Sequence, residues 1–76
     1  VIKTGQVYKF GVGVFSAVLD GEMEVCNLIV NSDNYLVSIK FQGASARFTE
    51  VHGKDILQEM IAEGKLKFSH MVDIIE

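Results

Sequence analysis

The chain contains no proline, no tryptophan, one cysteine and only seven basic residues among 76, and each shortage closes off a class of function. One cysteine makes neither an intrachain disulfide nor a thiolate zinc cluster. Seven Lys and Arg against ten Asp and Glu leave a net charge of −3. The basic residues are dispersed, so a general polyanion binder is disfavoured and nucleic acid is not an expected partner. Long hydrophobic runs are also missing. The longest nearly apolar stretch, residues 12–19, is interrupted by Gly13 and Ser16 and falls far short of the roughly 20 residues that span a bilayer. A soluble chain without a membrane partner is expected. No basic segment leads into an apolar signal core and no Asn-x-Ser/Thr sequon occurs, which points to a cytoplasmic setting.

What is present is a chain that is 49% hydrophobic, without repeats, low-complexity tracts or linker composition, read as a single small domain over residues 1–76. A chain of this size buries about 60–65% of the surface its unfolded form exposes, so its core has little margin over the entropy of ordering the backbone. Residues 7–19 are rich in β-branched and aromatic types without a helical period and read as one long strand or two strand halves. Asp20-Gly21 then reads as the two-residue turn of a hairpin into a strand over residues 22–30, since Asp-Gly suits the positive φ of a type I′ turn. A turn at residues 31–34 leads to a third strand at 35–41, and residues 42–45 turn into a short fourth strand at 46–51. The period changes at residues 53–64, where Ile56, Leu57, Met60 and Ile61 recur at helical spacing and Gly64 suits the left-handed position after a helix. From Lys65 the pattern alternates, predicting a last strand, with a second helix over residues 69–75 as the alternative. The fold class is α+β: a small antiparallel meander of three to five strands with one amphipathic helix packed on the sheet.

A hairpin closed by Asp20-Gly21 fixes which residues share a face. One face collects Phe15, Ala17, Leu19, Cys26, Leu28, Val30, Tyr35, Val37, Ile39 and Phe41 and is the expected core beneath the helix. The other carries Tyr8, Phe10, Val12, Val14, Met23, Val25, Ile29 and Leu36, too apolar for water. One short helix covers one face only. The expectation is therefore a homo-oligomer, with Val12, Val14, Val25, Ile29 and Leu36 as the interface, or alternatively a small barrel that binds a small ligand or single-stranded nucleic acid through Tyr8, Phe10 and Lys40.

Motifs that carry chemistry are weak. Gly11-Val-Gly-Val opens like a dinucleotide fingerprint, but position 16 is Ser and no helix follows, so these read as strand glycines. Cys26 reads as a small buried hydrophobe rather than a nucleophile. Glu50, His52 and His70 lack metal-ligand spacing relative to Cys26, and Asp20, Glu22 and Glu24 read as a solvated turn. No catalytic, cofactor-binding or metal-binding residue is assigned. The sequence therefore predicts a non-enzymatic, self-associating interaction module, an accessory or regulatory protein without a cofactor, with a small enzyme completed at a subunit interface as a third, lesser reading.

Overall fold

Alternating apolar residues flanked by turn formers build five strands, and the one segment with helical periodicity builds the helix. A computed structural model describes residues 2–72. Its elements are β1 (Gln6–Phe10), β2 (Gly21–Leu28), β3 (Asn34–Phe41), β4 (Phe48–Gly53), α1 (Lys54–Ala62) and β5 (Leu66–Met71). The strands form one sheet in the order β4-β3-β2-β1-β5, antiparallel at every neighbouring pair. The chain leaves β4 at one edge, passes through α1 and returns as β5 at the opposite edge. The α+β class, the meander and the packed helix are as the sequence predicts.

The first hairpin differs. β1 stops at Phe10, and residues 11–20 form a loop with a tight turn at Val14–Ser16, where Phe15 and Ser16 take left-handed backbone at φ 53° and 61°, before β2 opens at Gly21. Gly21 is paired with Phe10 on one side and Phe41 on the other. A Cβ at this position would lie 2.6 Å from Phe10 Cζ and 2.8 Å from the Lys40 carbonyl oxygen. The glycine thus serves the close approach of a ring within a strand, rather than a turn. The turn falls to Gly13, at φ 94°, whose N–H donates to the Ala17 carbonyl at 2.9 Å.

Because side chains alternate along a strand, the new pairing moves β1 and β2 to the other face. Tyr8, Phe10, Met23 and Val25 join Tyr35, Val37 and Ile39 in the core, with Leu57 from α1, Leu66 from β5 and Val14 and Ala17 from the loop. Of the residues predicted for the core, Leu19, Leu28 and Val30 are exposed. Cys26 falls where the β2–β3 register shifts between Val25 and Asn27 and is only half-buried.

In α1, Leu57 is fully buried, Met60 and Ile61 pack against the core, and Ile56 is 51% exposed. The helix ends as its sequence predicts. Gly64 takes φ 79°, its N–H donates to the Ile61 carbonyl at 3.1 Å, and the Lys65 N–H donates to the Met60 carbonyl at 2.9 Å, which is the pairing of a Schellman motif. The second-helix alternative over residues 69–75 does not hold for residues 69–71, which are strand. Residues 73–75 lie outside the described residues.

Candidate functional site

The residues predicted for an interface do not share a surface. Val14 and Val25 are in the core, Val12 is exposed in the β1–β2 loop, Ile29 is half-buried in the turn after β2, and Leu36 is half-buried on the sheet face away from the core. The register carries this correction: the β1 and β2 part of the predicted second apolar face, Tyr8, Phe10, Met23 and Val25, is the core, whereas Leu36 of β3 lies on the opposite face. Of the predicted ligand contacts, Tyr8 is buried, its ring edge-to-face with Phe68 at 5.8 Å and its hydroxyl donating to Gln6 Oε1 at 2.9 Å. Phe10 and Lys40, by contrast, come together at one end of the sheet.

That end holds a cleft of about 740 Å³ whose apolar lining, Phe10, Phe41 and Val14, belongs to the core side of the sheet. The volume lies in the range of small-molecule sites. Four of the seven basic residues, Lys9, Lys40, Lys65 and Lys67, line it, with Asp20 and Glu22 as its acidic members. Three registers explain the gathering. Lys9 pairs with Lys67 of β5 and with Glu22 of β2, and Glu22 pairs with Lys40 of β3, so these four form one row across the sheet. Neighbouring strands lie about 4.8 Å apart, which sets Lys9 about 5 Å from Lys67 and about 10 Å from Lys40 along the backbone. Lys65 lies 3.7 Å from Glu63; Lys9, Lys40 and Lys67 form no ion pair with a described residue. Lysines dispersed in sequence are thus concentrated by the register, a signal that only strand pairing could have supplied.

The two sheet edges differ. β5 carries Lys67 and a register shift against β1 between Val7 and Tyr8, both features that blunt an edge against further pairing. β4 pairs with β3 through six consecutive residues without a shift and has no lysine or proline between Phe48 and Gly53. Phe48 is 51% exposed and Val51 52% exposed, on opposite faces of this edge. Glu50 and His52 lie on the core face, with Glu50 Oε1 and His52 Nε2 at 2.8 Å. The His52 ring packs on Phe15 at 4.4 Å, and Phe15 itself sits in a left-handed conformation at φ 53°.

No protein family, curated protein or solved structure matches this chain. Its own side chains must carry the reading. Cys26 has its Sγ 3.8 Å from the Glu24 carbonyl. Burial and the Glu24 charge push the thiol above its ordinary range, against smaller opposing effects of Arg47 and the Ser38 backbone, so it is not poised as a nucleophile. His52 stands on β4 and His70 on β5, at opposite edges of the sheet, with Cys26 on β2 between them. Among the described residues, no three His, Cys, Asp or Glu side chains converge on a point, and no helix is long and apolar enough to cross a membrane.

Proposed function

We propose that this chain is a non-enzymatic protein-interaction module of the cytoplasm that self-associates by pairing β4 with β4 of a second copy. The observation that supports it is the open β4 edge: six residues long, regular, without lysine or proline and carrying half-exposed Phe48 and Val51. Such an edge is a template for strand addition. An antiparallel pair about a two-fold axis normal to the sheet keeps each face on its own side, so residues pair with others of the same face. Centred on Val51, this register sets Val51 against its own copy and Glu50 opposite His52 of the partner subunit. Apolar contact on the axis and acid opposite imidazole beside it make that register self-complementary. The arrangement also gives a small chain the buried surface its own core lacks.

Light scattering across a size-exclusion peak tests the proposal. At micromolar concentration the native chain should run as a dimer of the 8.4 kDa protomer, and Val51→Lys, which places a charge on the axis but no strain in the exposed strand, should run as a folded monomer. A monomeric native chain, or a Val51→Lys variant that stays dimeric, overturns it.

A further inference from the structure

We infer that the sheet-end cleft is a binding site for a small phosphate monoester. Three features of the cleft select this class. First, Lys9 and Lys67 stand side by side on adjacent strands, Lys65 lines the same cleft, and Lys40 lies two strands from Lys9 in the same row, with Glu22 between them. Of these only Lys65 has an ion-pair partner among the described residues. Adjacent ammonium groups repel each other and are stabilised together by one compact dianion. Second, the cations are all lysines. The single arginine, Arg47, is spent elsewhere, its Nη1 donating to Ser38 Oγ at 3.3 Å and lying 3.9 Å from Glu24 Oε1. Lysine ammonium groups hold a phosphate as point charges and need no planar guanidinium fork.

Third, the remaining lining is mixed in a way that sets the rest of the ligand. Phe41, half-buried at the strand ends, gives an apolar contact beside the lysine row, while Asp20 and Glu22 accept hydrogen bonds and repel further negative charge. A ligand with one phosphate, hydroxyl or amino donors and a ring fits this set; a nucleoside monophosphate has all three. A polynucleotide would bring its second and third phosphates against the two carboxylates and the acidic remainder of the chain. The cleft lies at the ends of the strands, away from the pairing groups of the β4 edge, so this inference does not rest on self-association.

Amide-resolved NMR titration of the isotopically labelled protein with inorganic phosphate, adenosine monophosphate and a twelve-nucleotide single strand tests it. Adenosine monophosphate should shift resonances around residues 9–11, 20–22, 40–43 and 64–67 and saturate, with inorganic phosphate moving the subset next to Lys9 and Lys67 more weakly. Lys9→Gln combined with Lys67→Gln changes two exposed side chains, and the spectrum itself reports whether the fold is kept. The pair should weaken adenosine monophosphate by at least about tenfold, the effect of one lost charge-assisted hydrogen bond. Shifts that do not saturate, shifts spread over the surface, an affinity unchanged in the double variant, or tighter binding of the oligonucleotide than of the mononucleotide each overturn the assignment.

Discussion

Phe10 and Phe41 meet edge to face, 6.1 Å apart at 87°, directly above Gly21, which separates them on the intervening strand. Phe41 then contacts Phe48 at 5.9 Å and Phe10 contacts Phe15 at 6.0 Å, so a row of rings closes this end of the core across three strands and the first loop. Glycine leaves a gap in a sheet, and here aromatic side chains on both neighbouring strands fill it.

Gly21→Ala should therefore lower stability by about 2–3 kcal/mol, because the new methyl group overlaps the Phe10 ring and the Lys40 carbonyl. Gly11→Ala is the control: its Cβ would meet only Asp20 Oδ1, at 3.6 Å, and it should change stability by less than about 1 kcal/mol. Urea unfolding of both variants decides the matter. Equal effects would show that Gly21 is not a close-approach glycine.

The helix gives a second contrast. Leu57 is 0% exposed, and Leu57→Ala should cost about 3 kcal/mol through lost transfer energy and a cavity. Ile56→Ala should cost under about 1 kcal/mol, since half of that side chain already faces water. A reversal of the two in thermal or urea unfolding would mean that α1 is rotated about its axis.

How much of this the sequence revealed depended on how many meanings each local signal has. The alternation of Tyr35, Val37 and Ile39 between two turn clusters has one reading, and these residues are core as predicted. Gly64 after an amphipathic run also has one reading, and it ends the helix. Asp20-Gly21 has two: a turn that needs positive φ, or a strand that needs no side chain. The rings of Phe10 and Phe41, which decide between them, become neighbours only after the strands pair. The wrong choice moved Val25 and Val14 from the core to a supposed interface and hid the lysine row, since Lys67 is brought beside Lys9 by a pairing between the two ends of the chain.

Cys26 and Tyr8 set the alkaline limit. Burial raises Tyr8, and burial with the Glu24 charge raises Cys26. Both groups are neutral when protonated, so a raised value in the folded state means that the unfolded chain gives up the proton first. Their contribution to stability is intact below the unfolded values, about 8.5 for Cys and about 10 for Tyr, and is lost as pH rises through the folded ones. Melting temperatures should hold from pH 7 to about 8.5 and fall above it, and Cys26→Ala should remove the earlier part of the fall. A melting temperature that rises over this interval would contradict the direction of both shifts.

The same thiol reports on Arg47. Because Arg47 lowers the Cys26 value, Arg47→Ala should leave less thiolate at neutral pH and slow labelling by a thiol reagent, while the denatured protein labels at once. Faster labelling of the folded variant would show that Arg47 acts by covering the sulfur rather than by its charge.

The central claim is that two copies pair β4 with β4 about Val51, and cysteine cross-linking reads that register most directly. Directly opposed residues of an antiparallel pair have Cα atoms about 4.5–5.5 Å apart, within the span of a disulfide. In a Cys26→Ala background, Val51→Cys should oxidise rapidly to a covalent dimer, whereas Val12→Cys, more exposed in the first loop, should remain monomeric under the same mild oxidant. Cross-linking of Val51→Cys no faster than that of Val12→Cys would contradict the account.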